Sequence, residues 1–336
     1  MVRLHLEVDT TTLRLTQPFR ISGYLFESFQ TVRVTLSDGK FQGRGEGGGV
    51  YYLGDDVAHM LAALTAARPL IESGISREEL RHAMPPGGAR NAVDCALWEL
   101  EAAGSGMAVW QLAGKSAPRP LRTTFTLGAD APEAMVVGAL RCAQARAIKI
   151  KLTGELALDL LRVRAIRAAR PDVWLGVDGN QGFAREDLDE LVAGLVAQNV
   201  SLLEQPLRRG HEAELDGYQS PIPIAGDESI LTLADIASAV GRYSVVNIKL
   251  DKCGGLTEGL MMAAAARRLG LGVMVGNMGG SSLAMAPSFV LGQECDIVDL
   301  DGPTFLANDV APGVVYTDGN VWSGADVWGG GAQEPA

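Results

Sequence analysis

Charged side chains close one short apolar run after another through the last two-thirds of this 336-residue chain. Lys149 and Lys151 lie in AIKIKL (147–152), Asp178 in WLGVDGN (174–180), and Glu204 in SLLEQP (201–206). Asp227 lies in IPIAGDES (222–229), Lys249 in VVNIKLD (245–251), and Asp299 and Asp301 in DIVDLDG (296–302). One such residue alone says little. An Asp after a strand commonly caps a helix or a turn, and a Lys in a strand commonly sits on a solvated edge. Here the neighbours are apolar and out of phase, as with Leu203 beside Glu204 and Ile248 beside Lys249. Residues two apart in a strand share a face. The charges therefore belong to one face and the aliphatic residues to the other.

Three carboxylates, Asp178, Glu204 and Asp227, come from consecutive runs. If those runs are neighbouring strands, the acids converge and repel unless a cation joins them. A hard divalent ion with oxygen ligands fits, and Mg²⁺ fits better than Zn²⁺ because no His or Cys accompanies the acids. His5, His59, His82 and His211 all lie away from the run ends. The proton-transfer groups are therefore the lysines. A lysine base must be neutral, although a free one titrates near 10.4. Lys149 and the nearby cation would both lower the pKa of Lys151.

The elements that must hold these groups read as follows. Thr31–Glu46 alternates on both sides of Asp38-Gly39, a hairpin signal. Helical periodicity runs from about Asp56 to Ser73, SREELRHAM opens with a Ser76–Glu79 capping box, and GARNAVDCALWELEAAG ends at Gly104. This first third reads as an α+β domain. From about Leu121 eight short strands recur, TTFTLG (123–128) the first and GVMVGNM (272–278) the seventh, with helical segments such as APEAMVVGALRCAQAR and LTLADIASAVG between most of them. That alternation predicts a (β/α)8-type barrel of (β/α)7β form rather than a doubly wound sheet, and no GxGxxG follows a strand. The predicted division is residues 1–118 as a capping domain, 119–310 as the barrel, and 311–336 as a segment returning to the cap. The charged rim is the C-terminal end of the barrel, where such folds build active sites. Strands two and six of eight lie opposite one another, so Lys151 and Lys249 would face each other across the metal. One lysine would remove an α-proton and the other would return a proton to the opposite face. A Mg²⁺-bound carboxylate would take up the charge of the enediolate.

Composition sets outer limits. Hydrophobic residues make up 47% and charged residues 21%, as in a globular protein. A net charge of −11 argues against nucleic-acid or anionic-membrane partners. No apolar run is long enough to cross a membrane, the N-terminus lacks an apolar targeting core, and the four cysteines form no CxxC pair. Reduced thiols in the cytoplasm are the expectation.

The residues also resemble a known family. KIK on strand two, the strand ends DGN, EQP and GDES, and NIKLDKCGG on strand six are similar to the enolase superfamily, in the branch containing muconate lactonizing enzyme. The resemblance implies Lys151 and Lys249 as the acid/base pair and Lys149 as an electrostatic helper. It implies Asp178, Glu204 and Asp227 as ligands of one Mg²⁺ per subunit, with Glu228 behind them. Lys252, out of phase with Lys249, reads as structural. DLDGP (299–303) resembles the Asp-x-Asp signature of dipeptide epimerases, in which both carboxylates receive the substrate's α-ammonium. GGARNAVDCALWEL and DLDGPTFLANDV resemble that group too. The family often forms homo-oligomers, and nothing in this sequence specifies how.

The implied activity is 1,1-proton transfer on a dipeptide, either L-Ala-D/L-Glu or a more apolar one. N-acylamino acid racemase, o-succinylbenzoate synthase and muconate cycloisomerase are the alternatives within the branch. The last two leave Asp299 and Asp301 without an ammonium partner. A Schiff-base aldolase would need one desolvated lysine and no three-carboxylate site. A barrel that only binds a metal–carboxylate ligand would leave opposed lysines unexplained. Glutamate-specific members would be expected to carry an arginine in the first-domain loop over the barrel. Here that loop, RISGYLFESF (20–29), offers Tyr24, Phe26 and Phe29, while Arg20 reads as part of the preceding strand. The second loop, GGGVYYLGDD (47–56), adds Tyr51. The glycine-rich stretch after strand seven adds Ser281 as a further substrate contact.

Overall fold

A computed structural model describes residues 3–331. The N-terminal part is an antiparallel sheet of β1 (His5–Ile21), β2 (Tyr24–Ser37) and β3 (Gln42–Gly48). Helices α1 (Val57–Glu72), α2 (Arg77–Ala83) and α3 (Gly88–Ser105) pack against it, and the short α4 (Val109–Leu112) follows. The turn read at Asp38-Gly39 is there. The Asp38 carboxylate accepts the N–H groups of Lys40 and Phe41, and Ser37 pairs with Gln42 across the turn. Gly43, Gly45 and Gly47 alternate onto the face that meets α3. A Cβ at any of them would lie within about 2 Å of a carbonyl oxygen of Ala96, Ala92 or Gly88. Only glycine lets the helix backbone lie this close to the strand.

Strand β4 (Leu121–Arg122) leads into an eight-stranded parallel sheet. Its strands are β5 (Phe125–Leu127), β6 (Ala147–Lys151), β7 (Trp174–Asp178) and β8 (Leu202–Glu204). Then come β9 (Ile224–Gly226), β10 (Val245–Ile248), β11 (Gly272–Val275) and β12 (Ile297–Val298). They are hydrogen-bonded in chain order, and the sheet curls until the Thr124 N–H donates to the Val298 carbonyl at 2.9 Å. Helices α5 (Pro132–Arg141), α6 (Leu156–Ala169), α7 (Leu188–Ala197), α8 (Leu250–Cys253), α9 (Leu256–Arg268) and α10 (Ser282–Gly292) connect strands outside it. This is the predicted barrel with a capping domain.

Strand phase is set by burial. In β6, Ile148 and Ile150 join a core with Leu175, Val177, Leu203, Val246 and Ile248 between sheet and helices. A one-residue slip would exchange them with Lys149 and Lys151. It would forfeit roughly 1.5–3 kcal/mol for each aliphatic side chain and bury two ammonium groups among alkyl groups. Inside the barrel floor a smaller cluster of Leu202, Ala225, Val245 and Met274 closes the bottom.

Several boundaries differ from the sequence reading. LTLADIASAVG forms two 3-10 turns, Leu233–Asp235 and Ala237–Ala239, rather than a helix. Its Asp235 carboxylate accepts the Leu231 and Thr232 N–H groups and so caps the first of these turns. Helix α3 runs through Gly104 and stops at Gly106, whose φ of +69° is the left-handed value a C-terminal glycine supplies. The lid expected as a loop over 20–29 is the tip of the β1–β2 hairpin, with Arg20 paired to Leu25 and Ile21 to Tyr24. Near the C-terminus, β13 (Val315–Thr317) pairs with β14 (Asn320–Trp322), which pairs with β4. Trp328 Nε1 then donates to the Arg44 carbonyl of β3 at 2.9 Å.

Candidate active site

The barrel register brings the charged residues together. Lys151, Asp178, Glu204 and Ala225 are successive partners across β6 to β9. Asp227 lies two residues beyond Ala225 and therefore on the same face. Ala225 pairs with Val245, and Lys249 lies four residues beyond that, again on the same face. Oxygens of Asp178, Glu204 and Asp227 all lie within 4.8 Å of one another, and all three residues are buried. These residues fit a hard divalent cation. The donor set is all oxygen, and Glu204 Oε2 accepts no hydrogen bond although Lys149 Nζ is 2.7 Å away. Asn247 donates to Glu204 Oε1 at 2.8 Å and fixes the other oxygen.

The lysines surround this triad. Lys151 Nζ lies 2.6 Å from Asp178 Oδ2, and Lys249 Nζ lies 2.6 Å from Asp227 Oδ2. Lys149 Nζ lies 2.7 Å from Glu204, 2.9 Å from Asp299 and 3.2 Å from Asp178. Burial opposes the charge on Lys149, but the surrounding carboxylates, Asp299 first, hold its pKa well above the ordinary value. Asp227 does the same for Lys249 against its burial. Burial likewise opposes the charge on Asp178, yet Lys151 and Lys149 draw it down to about 2. Glu204 goes the other way, pushed up to about 7 by burial and by the charge of Asp178. Glu228 is raised to about 8 by burial and then by Asp227 and Asp178, and its Oε2 accepts no hydrogen bond. Like charges this close and this buried push the pKa values of neighbouring carboxylates apart.

Lys252 joins the site although its sequence phase pointed elsewhere. Strand β10 ends at Ile248, and the chain then turns helically through α8. A helical turn returns residue i+3 to the same side. Lys252 Nζ accordingly lies 2.5 Å from Asp227 Oδ1 and 2.6 Å from the Asp227 carbonyl. Helix α3 clamps this turn from the capping domain. Arg90 donates to the Cys253 and Gly254 carbonyls and to Glu258, and Asn91 donates to Asp251 at 2.8 Å.

Above the triad lies a cavity of about 600 Å³ including its open mouth. Lys151, Lys249, Asp299, Asp301, Asn180 and Thr126 line its polar side. Phe19, Ile21, Phe26, Phe29, Tyr51, Met278 and Phe305 form the apolar wall. Tyr24 stays outside this wall, 45% exposed, and braces it with its ring 4.5 Å from that of Tyr51. Arg20 is exposed and lines a separate outer groove, because alternation along β1 turns Phe19 and Ile21 inward. Ser281 is not brought to the cavity. It is buried, and its N–H and hydroxyl both donate to Glu46 of β3, at 2.8 and 2.7 Å. Burial and the charge of Asp299 push Asp301 up to about 7.

Comparison with known proteins settles the lineage. Residues 6–114 match the mandelate racemase/muconate lactonizing enzyme N-terminal domain, and residues 133–321 match the enolase C-terminal domain-like family. The chain belongs to the enolase superfamily. It is 38% identical over 309 residues to the L-Ala-D/L-Glu epimerase of Escherichia coli (strain K12), covering 91% of this chain and 96% of that one. It is 41% identical over 255 residues to an N-acetyl-D-glutamate racemase of Pseudoalteromonas sp, covering 74% and 80%. A solved enolase family member from Agrobacterium tumefaciens, with homology to dipeptide epimerases and with sodium and L-Ala-L-Glu bound, superposes with a TM-score of 0.92. It is 37% identical, covering 97% of this chain and all of that one. The protein is thus an isomerase acting on amino acid derivatives. No helix among the described residues is long and apolar enough to cross a membrane.

Proposed function

We propose that this isomerase is a Mg²⁺-dependent dipeptide epimerase that inverts the α-carbon of the C-terminal residue by two-base proton transfer. The observation that carries the reading is a single cavity whose wall includes Lys151, Lys249 and Asp301 above the three-acid cluster. Lys151 and Lys249 are the proton-transfer pair, each attached to a different acid of the cluster. Asp178, Glu204 and Asp227 hold the cation, which when bound offsets the negative charge that builds on the substrate carboxylate as the α-proton leaves. Lys151 or Lys249 takes that proton at Nζ, and the opposite amine delivers one to the other face. Asn247 orients Glu204, and the aromatic wall excludes water around the carbon acid.

The epimerised residue carries an apolar or aromatic side chain. Among the residues lining the cavity the only cations are Lys151 and Lys249, both engaged by the acids. A glutamate side chain under Ile21, Phe26, Phe29 and Met278 would bury a carboxylate without a partner. An N-acylamino acid racemase is the second reading, since a relative with that type of activity is 41% identical. Asp301 favours the dipeptide, because an acyl nitrogen brings no cation to it. The four free cysteines accord with a reducing, cytoplasmic setting. The test is incubation of Mg²⁺-loaded protein with dipeptide libraries in D₂O, followed by NMR and chiral analysis. The expected result is α-deuterated, epimerised product. Absence of α-proton exchange from every dipeptide would remove the proposal.

A further inference from the structure

Helix α10 begins with a serine whose partner lies in the other domain. Ser281 is the N-cap, and its hydroxyl oxygen accepts the Leu283 N–H at 3.2 Å. In a capping box, a Glu or Gln three residues further on reaches back to the N-cap N–H. Here that position is Ala284, whose side chain has no acceptor. Glu46 of β3 does the work instead, from the capping domain. Its Oε1 accepts the Ser281 N–H at 2.8 Å. Its Oε2 accepts the Ser281 hydroxyl at 2.7 Å and Arg33 Nε at 2.8 Å. Glu46 and Ser281 are both buried. The loop just before this cap brings Asn277, Met278 and Gly279 into the cavity wall. We infer that Glu46 is a positioning residue for the reaction. It pins this loop to the cap sheet and so sets the width of the apolar slot between the loop and Phe29.

The loop is held at both ends. At the barrel end, Asn277 donates to the Asp299 carbonyl at 2.8 Å and accepts the Gly279 N–H at 2.9 Å. At the other end the hold is Glu46. The facing wall of the slot belongs to the same sheet as Glu46. Arg33 pairs with Glu46 across β2 and β3, and Phe29 lies four residues before Arg33, on the same face of β2. The Phe29 ring is so close to Gly279 that a Cβ there would sit 2.7 Å from it. One short run of ladder therefore fixes the two walls relative to each other. Without the Glu46 carboxylate, the Ser281 N–H would lose its acceptor in a buried place, and Arg33 would lose its ion partner. The loop would keep its hold on the barrel and lose its hold on the cap. A bound side chain would then lose its fit, while the metal cluster would not change, because Asp178, Glu204 and Asp227 all lie on other strands.

The effect on substrate rests on the dipeptide reading, whereas the pin itself does not, and the experiment separates the two. Glu46→Ala and Glu46→Gln are compared with the wild-type protein. The first arm is hydrogen–deuterium exchange of the Mg²⁺-loaded proteins without substrate, read by mass spectrometry. Glu46→Ala should speed exchange of the 279–281 amides by about tenfold or more, as a local opening does, and leave the β11 amides unchanged. Glu46→Gln keeps one accepting oxygen and should lie between Glu46→Ala and wild type. It carries the test if Glu46→Ala does not fold. The second arm is steady-state kinetics on L-Ala-L-Phe and L-Ala-L-Ala. Glu46→Ala should raise KM for L-Ala-L-Phe by about tenfold, the scale of fit in an apolar pocket, with kcat changed less than about threefold. L-Ala-L-Ala, whose side chain is too small to fill the slot, should be nearly unaffected. Mn²⁺ binding, followed by electron paramagnetic resonance, should not change. Wild-type exchange of the 279–281 amides in Glu46→Ala or, if it does not fold, in Glu46→Gln overturns the pin. Equal losses on both dipeptides, or a loss in kcat alone, overturn the positioning role. If wild-type protein turns over no dipeptide, the epimerase reading falls, and the exchange arm still decides whether Glu46 holds the loop.

Discussion

The Lys252 ammonium sits 2.5 Å from Oδ1 of Asp227, while Lys249 takes Oδ2 of the same carboxylate at 2.6 Å. One acid thus carries a fixed cation on one oxygen and a proposed proton carrier on the other. The Lys252 side chain is fully buried. Removing one member of a buried pair typically costs about 3–5 kcal/mol, because it strands the other charge. Lys252→Met should therefore lower the melting temperature of metal-free protein substantially. A bound divalent ion supplies positive charge at the same carboxylate, so Mg²⁺ should narrow the gap to wild type. Thermal melts with and without Mg²⁺ check this, and a gap that stays constant or widens contradicts it.

Two bases on different acids should fail separately. Lys151→Ala and Lys249→Ala should each reduce epimerisation by roughly 10²–10⁴-fold, the usual range for a positioned acid or base. Each should keep solvent exchange with one enantiomer of the C-terminal residue, and the two should keep opposite ones. Proton NMR of both diastereomers in D₂O reads this directly. Normal epimerisation by both variants would rule out a two-lysine mechanism.

The aromatic wall makes a prediction about substrate. L-Ala-L-Phe should exceed L-Ala-L-Glu in kcat/KM by at least about tenfold, the scale on which an apolar pocket discriminates. Phe26→Arg, which adds a cation to that wall, should narrow or reverse the preference. Steady-state kinetics on the two dipeptides settle it. A wild-type preference for glutamate would show that the apolar lining does not select the side chain.

Asp251 gives the protein a pH-dependent joint between the capping domain and the barrel. Its Oδ1 accepts the Gly48 N–H at 2.9 Å and the Asn91 amide at 2.8 Å, and burial raises its pKa to about 7. An unfolded Asp titrates near 3.9. The raised native value means that between about pH 4 and 7 the folded state holds a proton the unfolded state has released. Its stabilising contribution is complete below about pH 4 and is lost as pH rises through 7. Asp251→Asn keeps the accepting oxygen and removes the titration. Urea midpoints of wild type should therefore fall relative to those of Asp251→Asn between pH 5 and pH 8. Parallel curves would contradict the assignment.

Much of this site is legible in the sequence, because period-two alternation within short strands is a local property. Lys149 and Lys151, Asp178 and Glu204 each announce their face through apolar neighbours, and the register then lines them up. Repetition of the unit made the barrel readable as well. The helix expected after β9 is two separate 3-10 turns instead, although its start carries the capping pattern of a helix, Thr232 with Asp235.

What the sequence determined, then, was which residue types stand at the strand ends and on which side of each strand. Tertiary structure decided which of them touch. Lys252 reaches Asp227 only because the strand gives way to a helical turn one residue before Lys249's successor, a switch of period that alternation cannot announce. Ser281 is taken by Glu46, 235 residues away, and Lys149 by Asp299, 150 residues away. Hydrogen bonds and ion pairs are short-ranged in space and indifferent to separation along the chain. Partners of this kind exist only once packing has brought the two strands or domains together.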